Sequence, residues 1–396
     1  MTMTEIPTGT TRPPGPAASG IRRVVEDAIA AERLVGAVVL VARDGVLVHR
    51  QAAGLADRET ARPMTPETVF RLASASKPVV SAAAMALVAQ GRLDLDADIA
   101  AWLPELGFRL ADGRPARITP RHLLSHMAGL GYRFLEADAG GPLARAGVSD
   151  GMDASGIGLG ENLRRLASVP LSYEPGTSWG YSLATDVLGG LIARVAGAPL
   201  GAAVERLVTC PLGMADTGFV ARDPRRVATA YVSDAPRPHR LAEGETVSAF
   251  DGAVGIEFSP ARIFDPAAYP SGGAGMAGTA GDLLRLLETL RQGGAPLLPG
   301  ALAAEMGRDQ TGGLELPDAP GTGFGLGFSV LRDPGLAASP ESAGTWRWGG
   351  AYGHSWFVDP ARGLSVVALT NTLYEGMSGR FVTDLRDAVY AAEALR

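Results

Sequence analysis

β-rich runs stand at both ends of this chain with helical patterns between them, which leaves few ways to bury a sheet. Residues 35–42 (VGAVVLVA) and 46–50 (VLVHR) flank Arg43-Asp44-Gly45. Asp-Gly between two such runs predicts a hairpin. Near the other end, 343–349, 354–359 and 364–370 (LSVVALT) are again β-rich and are separated by Gly or Asp-Pro turns. The hairpin and this meander can join into one antiparallel sheet. Helical patterns at 21–33 and about 378–395 are placed to cover its faces. The expected fold class is therefore α/β of the α+β type: an antiparallel sheet built from both chain ends, covered by helices, with an inserted, mainly helical subdomain.

Helical spacing recurs at 119–127, 160–168, 182–197 and 279–292, the last behind a cap-type Thr279. The stretch 221–270 is rich in Pro, Arg and Asp and reads as long surface loops. The expected division is a disordered tail over 1–20, a sheet domain from 21–105 with 270–396, and a helical subdomain over 106–269. A cleft between the last two is a natural ligand site.

The formal net charge is −6. An acidic chain offers no electrostatic footprint for nucleic acid or for an anionic membrane. The first twenty residues lack a basic start followed by an apolar stretch, and no apolar run reaches spanning length, so a soluble cytoplasmic protein is expected. The one cysteine, Cys210, lies in an apolar neighbourhood and reads as a buried structural thiol. No cofactor is called for, and no motif points to an oligomeric interface.

Of 36 basic residues, 35 are arginine and one is lysine, Lys77. Arginine serves wherever only a positive charge is needed. It cannot serve where the group must lose a proton, because guanidinium stays protonated. The surviving lysine is thus a candidate for acid–base work. It stands in Ser74-Ala75-Ser76-Lys77, at the start of a helical run, PVVSAAAMALVAQGRL, ended by Gly91. Residues three apart share a helix face, so Lys77 can sit against Ser74. The helix start favours an anion developing at Ser74.

Ser-x-x-Lys is a signature of β-lactamases and penicillin-binding proteins. The chain resembles the serine β-lactamase-like superfamily and, within it, the family VIII carboxylesterases. Six ordered segments spread over about 21–395 carry the resemblance: LASASKP (72–78), HLLSHMAGLGY (122–132), YEPGTSWGYSLATDVLGGLI (173–192), CPLGMADTGF (210–219), YPSGGAGMAGTAGDLLRLL (269–287) and WGGAYGHSWF (348–357). The resemblance implies a β-lactamase/transpeptidase-like fold. It implies Ser74, Lys77 and Tyr181 as catalytic residues, with the backbone N–H groups of Ser74 and Ala351 as oxyanion hole. The substrate pocket would include Trp348, Gly349, Gly350, Tyr352 and His354. Two departures from the superfamily pattern matter. Leu183 stands where an asparagine is usual, and Trp348 stands where the third motif normally has a lysine that binds a substrate carboxylate. Strand alternation points the neighbouring Arg347 to the other face. The expectation is hydrolysis of small, neutral, short-chain esters. The alternatives are a β-lactamase or D-amino-acid peptidase, an acyltransferase, or a binding protein with a dead site.

Three other signals compete. Gly176-Thr177-Ser178-Trp179-Gly180 fits Gly-x-Ser-x-Gly, but the preceding LSYEP is polar and broken by proline, unlike the strand that motif needs. His122 and His126 have metal-like spacing without the Glu or third ligand of a zinc site, and read as a structural pair, so no metal is expected. Asp186, about one helical turn beyond Tyr181, reads equally as support for the site or as a helix-surface carboxylate.

Overall fold

The computed structural model describes residues 16–248 and 252–394. Among them, eight strands form one antiparallel sheet. Its order runs 322–324, 329–331, 346–350, 354–359, 364–370, 36–43, 46–57, 62–63. The expected hairpin and meander are there, and they meet where Gly36–Arg43 pairs with Leu364–Thr370, Val39 opposite Ala368. The tail expected over 1–20 lies outside the described residues as far as 15. From Pro16 the chain is already helical, to Ala30.

Both central strands are buried along almost their whole length and are mostly apolar, because both faces of the sheet are covered. On one face Val39, Val41, Val366 and Ala368 pack with the terminal helices, through Ile21, Val25, Phe381, Leu385 and Val389. Both terminal helices therefore lie on the same face. The other face, with Val38, Leu40, Val367 and Leu369, packs into a core that includes the helices Lys77–Ala89 and Ala280–Arg291. Thr279 caps the second of these by accepting from the Asp282 N–H at 3.2 Å. Lys77–Ala89 is buried almost all round, as a helix without a polar face must be. Pro78 suits its first turn, and Gly91, at φ +67°, lets the chain leave it.

Two of the middle helices match their spacing closely, at Leu159–Ala167 and Ala184–Ala196. The pattern at 119–127 yields only Pro120–Leu124. The loops expected over 221–270 are partly internal. Tyr231 and Phe258 are fully buried, and short strand pairs join 231–232 to 239–240 and 245–247 to 256–258. Cys210 is exposed, contrary to its apolar neighbourhood: it follows a π-turn that buries Leu207, Val208 and Thr209 instead. No single helix among the described residues is long and apolar enough to cross a membrane.

Candidate active site

Ser74 does not occupy the first turn of the α-helix proper. It sits one turn earlier, in a 3₁₀ segment over Ala73–Ser76 that runs into Lys77–Ala89. Ala73, fully buried, has φ +45°. A non-glycine residue held there costs on the order of 1–3 kcal/mol, and such strain collects beside reacting groups. The turn is fixed from outside. The Leu72 N–H donates to the Met276 carbonyl at 2.8 Å, and the Ser76 hydroxyl accepts from the Met276 N–H at 3.2 Å.

Lys77 is fully buried. Its Nζ donates to Ser74 Oγ at 3.1 Å and to the Gly273 carbonyl at 2.9 Å. Ser74 Oγ and the Tyr181 hydroxyl lie 2.6 Å apart. Lys77 Nζ also stands 4.7 Å from the centre of the Tyr181 ring. The three residues expected to work together, separated by up to 107 positions, thus meet in one hydrogen-bonded group. Leu183, at the missing asparagine position, is fully buried in the core.

The strand Trp346–Gly350 passes directly over the Ser74 turn. A Cβ added to Gly350 would stand 2.3 Å from the Leu72 carbonyl oxygen and 3.3 Å from Ala75 N. Only glycine permits that approach. Trp348 is half-buried and meets the Tyr181 ring at a tilt, with centres 5.3 Å apart, and Phe324 lies edge-to-face with it at 5.1 Å. Arg347 turns away, as alternation requires, and pairs with Glu341. Trp346 and Trp356 pack inside the sheet against Phe328.

Two expected pocket residues are not on an open wall. His354 is fully buried because the chain reverses inward after Gly350. Its Nε2–H donates to the Arg71 carbonyl at 2.7 Å, and burial pushes its pKa down to about 4, so it packs as a neutral ring. Tyr352 is only 5% exposed and rests on Phe258 and beside the Arg71 guanidinium.

Residues that spacing did not single out complete the surroundings. His126 does not share a helix with His122. It lies beyond that helix at φ +56°, buried, 4.9 Å from the Tyr181 ring and 5.2 Å from Phe324. Burial, then the Lys77 charge, keeps it well below the ordinary imidazole pKa. His122 caps its own helix with Thr119. The Tyr132 ring meets that of Tyr181 at a tilt, with centres 5.0 Å apart. Burial first, then Tyr181 and Asp186, raises its phenol well above the usual range. Asp186 is fully buried in the first turn of Ala184–Ala196, not on a helix surface, and its Oδ2 accepts from the Gly273 N–H at 3.2 Å. Ser178 stands in irregular chain between a turn at 175–176 and a helix that starts only at Ala184. The strand-to-helix elbow that Gly-x-Ser-x-Gly requires is not formed.

A Ser–Lys–Tyr group on a helix entry, its lysine buried and its serine and tyrosine partly open, roofed by a Gly-Gly strand, is the arrangement of the β-lactamase class. The Beta-lactamase family model matches residues 21–391, and the chain belongs to that family. The resemblance drawn from the six motifs is thereby borne out. Esterase EstB of Burkholderia gladioli is 52% identical over 375 residues, which cover 94% of this chain and 95% of that protein. The solved structure of EstCE1, described as a hydrolase with promiscuous acyltransferase activity, superposes with a TM-score of 0.92 at 48% identity, over 94% of this chain and 98% of that one. Simvastatin synthase of Aspergillus terreus, at 21% identity and a TM-score of 0.74 over 96% of each chain, shares the fold.

Proposed function

We propose that the protein is a carboxylesterase that hydrolyses small, short-chain esters through an acyl-enzyme on Ser74. The observation that carries this reading is that Ser74 Oγ is hydrogen-bonded to both Lys77 Nζ and the Tyr181 hydroxyl. Ser74 Oγ attacks the ester carbonyl while the Tyr181–Lys77 pair takes its proton. The same pair returns a proton to the departing alkoxide, and water then hydrolyses the acyl-enzyme by the reverse route. The backbone N–H groups of Ser74 and Ala351 face the developing oxyanion, a role favoured by how closely Gly350 approaches the Ser74 turn. The two lobes, 21–105 with 270–396 and 106–269, form the walls of the cleft, with Trp348 and Gly349 at its edge. Cytoplasmic residence, and the lack of nucleic-acid or membrane partners expected from composition, belong to the same proposal.

Trp348 separates this reading from a β-lactamase or D-amino-acid peptidase. An aromatic ring packed on Tyr181 cannot pair with a substrate carboxylate as a lysine would. Hydrogen bonds to charged groups are worth about 1.5–3 kcal/mol. The specificity constant for p-nitrophenyl butyrate is therefore expected to exceed that for nitrocefin by about ten- to a hundredfold. Equal constants for the two would contradict the esterase reading. Transfer of the acyl group to an alcohol in place of water is the second reading, favoured by the activity that EstCE1 is described as having.

A further inference from the structure

Lys77 is a buried amine that rests on a hydroxyl and a peptide carbonyl, and among the described residues no carboxylate touches it. A buried ammonium without a counter-charge is strongly disfavoured. The carboxylate whose field reaches it is Asp186. Gly273 joins the two through successive peptide units: Asp186 Oδ2 takes the Gly273 N–H, and Lys77 Nζ gives to the Gly273 carbonyl. Gly273 admits both because it has no side chain. A Cβ there would meet Asp186 Oδ2 at 2.8 Å, the Tyr132 hydroxyl at 3.2 Å and Lys77 Nζ at 3.5 Å. Asp186 Oδ1 is buried with no hydrogen-bond partner among the described residues, so local hydrogen bonds offset this carboxylate only in part.

We propose that Asp186 is a positioning residue for Lys77: its carboxylate anchors the N–H of Gly273, the residue whose carbonyl takes the amine, and its charge sets how tightly that amine keeps its proton. The inference rests on the esterase reading for its purpose, though not for its test. The groups facing Asp186 are few. They are Lys77 from the catalytic helix, the Ser271 hydroxyl and the Gly273 N–H from the segment before the 280–291 helix, the Arg262 guanidinium, and the phenols of Tyr132 and Tyr269. Burial pushes the Asp186 carboxyl up to about 6, while the Ser271 hydrogen bond and then Lys77 act against that rise.

The single lysine makes the test direct. Protein labelled with ¹⁵N-lysine carries one side-chain Nζ signal, and its pH titration reads Lys77 alone. Asp186→Asn keeps the shape and an oxygen for the Gly273 N–H but removes the charge. The Nζ midpoint is expected to move to lower pH by about one unit or more, because an opposite charge nearby favours the ammonium. One limb of the pH profile of kcat/KM should move with it. The acidic limb moves if the free amine takes the Ser74 proton, and the alkaline limb if the ammonium is the working form. An unmoved Nζ midpoint with a uniformly lowered rate would overturn the proposal and leave Asp186 a packing residue. If the Asn chain does not fold, Asp186→Ser is read in the same way. Labelling of Ser74 by a fluorophosphonate, run on the same samples, reports on the esterase reading separately. Absence of that label in the wild type removes the reading, whereas a label with an unmoved midpoint removes only the role of Asp186.

Discussion

Lys77→Arg is expected to lower kcat/KM for p-nitrophenyl butyrate by about 10³-fold, nearly as much as Lys77→Ala. The charge survives in this variant, so the loss isolates proton transfer. A guanidinium does not give up its proton near neutral pH and cannot take one from Ser74. Geometry adds to the chemistry. Lys77 is fully buried, and its amine is held between Ser74 Oγ, the Gly273 carbonyl and the Tyr181 ring. A planar fork of five donors finds two acceptors there. Steady-state rates on both variants, with circular dichroism as the folding control, measure the effect. Substantial activity in Lys77→Arg would leave the positive charge as the whole role of this residue.

Gly350→Ala is expected to lower kcat by about 10²–10³-fold with little change in KM, the loss typical of an oxyanion donor moved out of place. The added methyl would lie 2.3 Å from the Leu72 carbonyl oxygen, 3.1 Å from His354 Cδ2 and 3.3 Å from Ala75 N. Two of those atoms are backbone in the turn that carries Ser74, and the third belongs to a ring locked on the Arg71 carbonyl. The strand must therefore lift from the turn, taking Ala351 with it. An undiminished kcat would mean that the N–H of Ala351 does not face the reacting carbonyl.

The sheet was legible because its signals are local. Asp44-Gly45 between apolar runs forms the turn it predicts, and the three C-terminal runs become three strands. Which helices cover which face was not legible, since two apolar faces look alike in a fully buried strand. The segment 221–270 misled for a related reason: strands of two or three residues carry no periodicity, so the burial of Tyr231 and Phe258 leaves no pattern. Ser74 and Lys77 announce themselves through spacing and through the scarcity of lysine. Tyr181 was reached through resemblance. His126, Tyr132 and Gly273 had no comparable signal. His126 depends on a positive φ, Tyr132 on a ring contact across the site, and Gly273 on a contact with Lys77 across 196 positions. His354 and Tyr352 were drawn toward the pocket by their nearness to Trp348 in sequence, but the reversal at 350–354 carries both side chains inward.

If Lys77 makes Ser74 a nucleophile, brief exposure to a fluorophosphonate, which phosphonylates an activated serine, followed by intact-mass spectrometry will show it. The wild type is expected to gain one adduct, mapped by peptide digestion to Ser74, while Lys77→Ala gains it about 10²-fold or more slowly. An adduct on Ser178, or an equal rate of labelling without Lys77, would contradict the account.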